Sequence, residues 1–159
     1  MCPARPSDDY EVMEEHSYRV DVQGESLKTG TLRSPDSLPS LPVASPPQFG
    51  GPSGIWSPEH LFVAAVASCL MTTFRAIAEM SGLEVLEYSD SASGRLVLGE
   101  DHLYSITEIT LRPRLVISDP SQVVRAERLI NKAERACLIS RSIASEVHIE
   151  PEVIVAAAV

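Results

Sequence analysis

The sequence has very little cysteine, and its start does not resemble an export signal. Only three of the 159 residues are cysteine, an odd number. The first residues, MCPARPSDDYE, are polar and include two prolines, whereas a secretory signal needs an apolar stretch of roughly 7–15 residues. We therefore expect a cytoplasmic protein whose thiols stay reduced and form no structural disulfide. A reversible disulfide that takes part in chemistry is compatible with that compartment.

Positive charge and long apolar runs are also scarce. Thirteen Lys and Arg residues stand against 22 Asp and Glu residues, which gives a net charge of −9 at pH 7. Nucleic acids and anionic membranes are bound through basic surfaces, so this balance argues against both as partners. The longest apolar run, residues 61–71, is broken only by Ser68. It is shorter than the roughly 20 residues that span a bilayer.

Motifs for several common kinds of catalytic site are missing as well. The chain contains no Cys-x-x-Cys, no His-Glu-x-x-His and no cluster of Cys and His with ligand spacing, so we expect no metal centre. It also lacks the Gly-x-Ser-x-Gly elbow of serine hydrolases. The stretch GGPSG lacks the Gly-Lys-Ser/Thr end of a phosphate loop, so it predicts a turn. We expect a protein without metal, prosthetic group or other cofactor.

The features that are present indicate one globular domain. The chain is 44% hydrophobic and 22% charged, which is ordinary for a globular protein. We expect residues 1–12 to be a flexible tail and residues 13–159 to form a single domain. Tyr18, Val20 and Val22 alternate with polar residues and predict a half-buried strand, and residues 31–33 a second short one.

Residues 34–57 contain six prolines and three glycines, and they predict a long loop without regular structure. Loops of this length inside a compact domain are usually functional or wrapped onto the rest of the fold. This loop includes apolar side chains, so we expect it to pack on the domain rather than extend into solvent. Those side chains are Leu38, Leu41, Val43, Phe49 and Trp56.

The most strongly patterned segment follows this loop and predicts a long helix. Ser57 is a favourable N-cap and Pro58 a favourable first residue, and Gly82 ends the pattern. The centre of this helix is apolar on all sides, which is typical of a buried helix. A chain of this size has difficulty covering such a helix alone. We therefore predict a homodimer in which a second copy covers part of it.

The second half of the chain predicts strands at 83–90, 94–99 and 102–117. A helix follows, with Asp119 as cap and Pro120 at its first position, running to about Cys137. Alternating Val147, Ile149, Val153 and Val155 predict a closing strand. The order of these elements is that of an α+β fold rather than a wound βαβ fold.

Two cysteines lie on the two predicted helices, 68 residues apart in the chain. Two helices can bring Cys69 and Cys137 within disulfide range if their Cα atoms lie within about 7 Å. The alternative is that both are small packing residues, because free cysteine is among the most buried residue types. The residues alone leave both readings open.

Charged residues near these thiols also have two readings. Glu59 lies in the first turn of the helix, where the helix dipole favours a carboxylate. It is ten residues before Cys69, about 15 Å along a helix axis, so the two cannot touch within one straight helix. The cations Arg125, Arg128, Lys132 and Arg135 either form a solvated face or help to lower the Cys137 pKa. His60 follows Glu59 and is expected to point to another side of the helix. His148 lies on the polar face of the closing strand, where we expect it to be solvated.

Two segments together resemble the OsmC/Ohr family. They are PPQFGGPSGIWSPEHLFVAAVASC and, about seventy residues later, AERACLISRSI. The resemblance implies an intertwined α+β homodimer with two long central helices packed between antiparallel sheets. It also implies a thiol peroxidase that reduces organic hydroperoxides in oxidative stress defence.

The resemblance assigns roles to individual residues. Cys69 matches the peroxidatic cysteine, Cys137 the resolving cysteine, and Glu59 the glutamate of the family's Asn-Pro-Glu. The implied cycle passes from a Cys69 sulfenic acid to a Cys69–Cys137 disulfide, which an external dithiol reduces. A lipoyl protein is the usual reductant in the Ohr branch.

One family element is not matched. The peroxidases carry an arginine in an early Arg-x-Gly turn, and the corresponding turn here reads Leu27-Lys28-Thr29-Gly30. Lys28, Arg33 or Arg19 is the candidate replacement, although lysine lacks the bidentate fork of arginine. The alternative functions are therefore a non-catalytic dimer that binds a hydrophobic ligand or senses oxidants, and a protein in which both thiols are inert.

Overall fold

The computed structural model describes residues 14–157, so the predicted tail, residues 1–12, lies outside the described residues. Residues 14–157 form nine strands and two α-helices. The strands are β1 (Asp21–Gly24), β2 (Thr29–Arg33), β3 (Leu41–Ala44), β4 (Val85–Asp90), β5 (Ser93–Leu98), β6 (Tyr104–Leu111), β7 (Pro113–Ile117), β8 (Glu146–Ile149) and β9 (Glu152–Val155). The helices are α1 (Pro58–Met80) and α2 (Val123–Ala136).

Helix α1 has the ends that the sequence predicts. The Ser57 side chain accepts a hydrogen bond from the His60 N–H, Pro58 is the first helical residue and Ser81 is the C-cap. Gly82 has φ +65°, a left-handed conformation that glycine adopts without steric cost. By length and composition alone α1 could cross a membrane. It packs instead on α2 and on the sheets, and core helices of globular proteins meet the same criterion.

The strands form three three-stranded sheets, with the orders β1-β2-β3, β4-β7-β9 and β5-β6-β8. The α+β class is confirmed, but the expectation of purely antiparallel sheets is wrong. Strand β8 pairs with β6 in parallel and β9 pairs with β7 in parallel. Helix α2 connects β7 to β8. Because the chain crosses over through this helix, β8 and β9 return to the sheets in the same direction as the strands that they pair with.

Two predicted strands are each divided into two. The segment at 102–117 breaks at Arg112, whose N–H donates to Asp90 Oδ1 over 2.8 Å instead of joining a ladder. The closing strand breaks at Glu150 and Pro151 into β8 and β9. Proline has no N–H for a ladder bond and is therefore placed at strand ends.

The predicted loop at 34–57 is corrected in part. Strand β3 lies within it and pairs with β2 in an antiparallel ladder in which Thr31 faces Pro42. A 3₁₀ turn follows at Pro47–Phe49. Gly51 approaches the Ser45 carbonyl so closely that a Cβ would lie 1.6 Å from its oxygen. The rest of the segment is irregular, as its composition predicts.

The core lies between α1, α2 and the last two sheets. Four apolar residues of the segment at 102–117 are fully buried. These residues are Ile109, Leu111, Leu115 and Ile117. They belong to the same buried cluster as Leu70 and Phe74 of α1 and Ile130 of α2. Burial of side chains of this size contributes about 1.5–3 kcal/mol each relative to exposure.

The first sheet and one face of α1 are left uncovered. Tyr18, Val20 and Val22, predicted as half-buried, are exposed by 90%, 60% and 70%. The predicted strand also begins later, at Asp21. Helix α1 is not buried all round, since Ala65, Ser68, Met71 and Thr72 are exposed. The described chain has one long helix of 23 residues and a shorter one of 14, so the two long central helices expected in a homodimer stay a prediction.

Candidate active site

Cys69 lies in the middle of α1, at the border between the buried and the exposed face of the helix. The residue is 9% exposed, between the fully buried Val66 and Leu70 on one side and the exposed Ser68 on the other. Thr73 follows one turn later and places its Oγ1 4.0 Å from the Cys69 Sγ. A threonine four residues after a cysteine faces it on a helix surface. Cys69 therefore combines near-complete burial with an opening to solvent.

Cys137 is held where α2 ends. Its N–H donates to the Glu134 carbonyl, and its backbone is extended, with φ −64° and ψ 113°. The carbonyl of Cys137 in turn accepts from the Arg141 N–H over 3.1 Å. The residue is fully buried. The chain thus leaves the helix at Cys137 and turns the thiol inward.

The structure brings these two thiols together. Both cysteines are free, and each lies close enough to the other to change its pKa. Two cysteines that are 68 residues apart in the chain are thus neighbours in the fold because α1 and α2 pack against each other. A disulfide between neighbouring cysteines requires Cα atoms within about 7 Å of each other.

The two thiols differ in acidity. Burial acts to raise the pKa of Cys69, but hydrogen bonds from the Cys137 thiol, the Ile139 backbone and the Thr73 hydroxyl hold this pKa below its ordinary value. Burial raises the pKa of Cys137, and the hydrogen bond that it gives to Cys69 raises it further. Donors to a sulfur favour its thiolate, whereas donation by a thiol favours the protonated form. Cys69 therefore has a pKa below the ordinary cysteine value and Cys137 a pKa above it.

An open depression of about 400 Å³ leads to Cys69. Its wall is mostly apolar, and it includes Leu138, which is 65% exposed, and Ile139. The polar groups are few. The other lining residues are Tyr18, Ala65, Ser68 and Thr72. A ligand with an apolar body fits such a surface.

Glu59 does not share this depression within one chain. It lines a separate cavity of about 530 Å³ together with Trp56, His60 and Asp90. One carboxylate oxygen, Oε2, is buried and has no hydrogen-bond partner among residues 14–157. A group that would pair with this buried oxygen is not among the described residues of this chain.

The three cations proposed as replacements for the family arginine form hydrogen bonds with groups other than the thiols. The Lys28 Nζ donates to the Phe49 carbonyl over 2.9 Å. Arg33 donates to Gln23 over 2.8 Å, and Arg19 to Asp21 over 3.0 Å. Among the hydrogen bonds of the described residues, none joins these cations to Cys69 or to the Glu59 carboxylate.

The remaining candidates lie apart from the thiols. The His60 Nδ1 is 2.8 Å from the Ser57 Oγ at the start of α1. His148 is half exposed and lies 3.5 Å from Glu146. Trp56 lines the Glu59 cavity, and Phe49 packs edge-on against Tyr104. No group of three or more His, Cys, Asp or Glu residues that could hold a metal occurs within residues 14–157.

Sequence reasoning missed Thr73 and the backbone of residues 138–139. The helical spacing of Thr73 from Cys69 was a usable signal. No sequence signal pointed to the backbone donors of residues 138–139, because the direction of an N–H group there depends on how the chain turns after α2.

Comparisons with known proteins agree with this architecture. The model of the OsmC-like protein family matches residues 50–152. The uncharacterized protein YmaD of Bacillus subtilis (strain 168) is 30% identical over 141 residues, which are 86% of this chain and 92% of that protein.

Solved structures share the fold over nearly their whole length. An OsmC-like protein of unknown function from Vibrio cholerae has a TM-score of 0.79 and 25% identity, over 86% of this chain and 99% of its own. An organic hydroperoxide resistance protein OsmC from Legionella pneumophila has a TM-score of 0.67 and 24% identity, over 89% and 100%.

Proposed function

The chain belongs to the OsmC-like protein family, and from this premise we propose that it is a thiol-dependent peroxidase that reduces organic hydroperoxides. Family membership supports a general statement, that the protein has a hydroperoxide-related role in oxidative stress. The observation that supports the more specific proposal is the proximity of Cys69, whose pKa is lowered, to Cys137, where α1 packs on α2.

In the first step of the proposed cycle, the Cys69 thiolate attacks the terminal oxygen of a hydroperoxide. The O–O bond breaks, the alkoxide takes up a proton and leaves as an alcohol, and Cys69 becomes a sulfenic acid. The lowered pKa of Cys69 supports this role, because the thiolate is the nucleophile. The apolar wall beside Cys69 favours an organic hydroperoxide over hydrogen peroxide.

In the second step, the Cys137 sulfur attacks the sulfenic sulfur. The S–O bond breaks, hydroxide leaves with the Cys137 proton as water, and a Cys69–Cys137 disulfide forms. An external dithiol then supplies two electrons and two protons and is itself oxidised to a disulfide. We propose the reducing cytoplasm as the compartment, where such dithiols are maintained.

The test is turnover of tert-butyl hydroperoxide in the presence of dithiothreitol. The parent protein and Cys2→Ser should consume many equivalents, because Cys2 has no step in the cycle. Cys69→Ser should be no faster than the reaction without protein. Cys137→Ser should turn over more slowly than the parent, since dithiothreitol from solution must then reduce the sulfenic acid in place of the neighbouring thiol. If Cys69→Ser matches the parent, the mechanism is wrong.

One observation favours a second candidate, an oxidant sensor or ligand-binding dimer without efficient turnover. Lys28, Arg33 and Arg19 all bind elsewhere, so a cation that would orient a hydroperoxide is missing from the described contacts of Cys69. The same assay separates the two functions. A sensor or ligand-binding dimer shows slow or absent turnover at every dithiothreitol concentration, because its reaction with the hydroperoxide limits the rate.

A further inference from the structure

The exposed face of α2 carries a row of positive charge. Arg125, Arg128, Lys132 and Arg135 follow one another at spacings of three or four residues, so they lie on one side of the helix. We call these four residues the cationic stripe. The opposite side of α2, with Ala126, Ile130 and Ala133, is buried in the core. No member of the stripe forms a salt bridge with any of residues 14–157.

The stripe is unfavourable for the helix that carries it. Like charges three or four residues apart destabilise a helix by about 0.2–0.5 kcal/mol per pair. Arg125 also lies in the first turn, where the helix dipole disfavours a cation. It has a structural use, since it donates to the Ser81 carbonyl and to Gln122. Arg128, Lys132 and Arg135 have no such bond within the described chain, so folding does not account for them.

The stripe also contrasts with the rest of the molecule. Five of the thirteen Lys and Arg residues of this acidic chain lie between residues 125 and 141, a segment with two glutamates. An open groove of about 930 Å³ runs along α2, and all four stripe residues line it. A negatively charged body that approaches the protein is therefore attracted to this face and repelled by most of the others.

The stripe ends next to the two thiols, Cys69 and Cys137. Arg135 is in the last turn of α2, two residues before Cys137. Leu138 comes next and lines the depression in which Cys69 is reached. A body seated along α2 would thus bring its end to the mouth of the thiol site.

We propose that the cationic stripe docks an acidic protein whose dithiol reduces the Cys69–Cys137 disulfide, an inference that rests on the function proposed above. The reaction is a thiol–disulfide exchange. A thiolate of the partner attacks Cys69, the less buried of the two sulfurs, and Cys137 leaves as a thiolate that takes up a proton. The second thiol of the partner then attacks the mixed disulfide and releases Cys69. Two electrons and two protons pass from the partner to the protein.

The first experiment measures how fast three synthetic peptides reduce the pre-formed disulfide. All contain Cys-Gly-Pro-Cys and differ only in flanking Glu, Ser or Lys residues. Each rate is divided by the rate at which that peptide reduces hydroxyethyl disulfide, because flanking charge also changes thiol acidity. At low ionic strength we expect the Glu peptide to exceed the Lys peptide by roughly 10-fold. The difference should disappear at about 1 M salt.

Charge-reversal variants locate the effect. R128E/K132E should abolish or reverse the preference for the Glu peptide. R112E/R114E, beside and within β7, makes the same change in net charge at two exposed residues paired with Glu150 and Glu152, and it should preserve the preference. Reduction by dithiothreitol should be equal in all three proteins. Equal rates for the three peptides, or equal losses in both variants, would overturn the proposal.

A binding measurement separates this proposal from the peroxidase function. The labelled Glu peptide, with its cysteines replaced by serine, should bind the reduced protein and lose affinity in R128E/K132E alone. If this binding holds but no disulfide forms with hydroperoxide, the docking surface stands and the peroxidase fails. If an oligonucleotide binds through Arg128 and Lys132 while the peptides show no preference, the stripe serves nucleic acid and the proposal is wrong.

Discussion

At the scale of single residues, the chemistry depends on a difference between two side chains of the same type. Burial acts to raise the pKa of Cys69, but hydrogen bonding by the Cys137 side chain, the Ile139 backbone and the Thr73 hydroxyl holds this pKa below its ordinary value. Burial raises the pKa of Cys137, which is fully buried. The first environment favours a thiolate and the second a thiol. One fold thereby gives two cysteines of different acidity.

The pH dependence of alkylation tests this difference. The pKa of Cys69 is lowered, so its reaction with iodoacetamide should reach half its maximal rate at a lower pH than that of an ordinary cysteine. Cys137→Ala removes a donor while much of the burial remains, so the midpoint should move to higher pH. Thr73→Val should move it in the same direction by less, because the hydroxyl is 4.0 Å away. Peptide mapping assigns the alkylated residue.

A control and a contrary result complete this test. Ser68→Ala changes an exposed residue whose hydroxyl bonds to the Ala64 carbonyl, and it should leave the midpoint unchanged. A midpoint that stays the same or falls in Cys137→Ala would contradict the assignment of Cys137 as donor.

At this scale the sequence was informative about which residues matter and silent about their surroundings. The two cysteine segments pointed to Cys69 and Cys137, and the fold makes them neighbours. The N–H groups of Leu138 and Ile139 could not be anticipated, because a backbone donor has no sequence signature. Nor could the contact of Lys28 with the Phe49 carbonyl, which joins residues 21 positions apart.

At the scale of elements, helix α1 has more apolar surface than its own chain covers. Ala65, Met71 and Ala76 are exposed although they belong to a helix with a strongly apolar sequence. The first sheet has a similar deficit, since only Gly30 and Ala44 of its strands are buried. Both surfaces lie where a second copy of the chain could cover them.

We propose a homodimer and predict that light scattering after size exclusion gives about twice the chain mass of 17.2 kDa. Met71→Glu should shift the protein towards the monomer, since it places a charge on the uncovered face of α1. Val124→Glu, a similar change at an exposed apolar position on α2, should leave the dimer intact. A parent protein that is monomeric at micromolar concentration would contradict the proposal.

Element boundaries were predictable where local chemistry sets them. Ser57, Pro58 and Gly82 define the ends of α1 through capping and backbone preferences, and these act within a few residues. Strand β3 was missed because its pairing with β2 is a non-local choice that proline-rich composition obscures. The direction of β8 and β9 was missed for a related reason, since alternation predicts a strand but not the orientation of its neighbour.

At the scale of the whole molecule, positive charge is concentrated on one face of an acidic protein. The net charge of −9 keeps polyanions from most of the surface, while the cationic stripe gives one face the opposite sign. Total charge, which argues against nucleic acid as a partner, gives no indication of this local exception. The periodicity of α2 placed the four cations on one face, but only the fold shows that this face ends at the redox pair.

The central claim is that Cys69 and Cys137 form one redox unit, and its most direct test is peptide mass spectrometry after one equivalent of cumene hydroperoxide. The reduced protein is treated, blocked with iodoacetamide and digested without reductant. We predict a disulfide-linked pair of peptides that contain Cys69 and Cys137, with the loss of two hydrogens, and no such pair in Cys69→Ser. Recovery of Cys69 and Cys137 as fully alkylated thiols after exposure to the hydroperoxide would contradict the account.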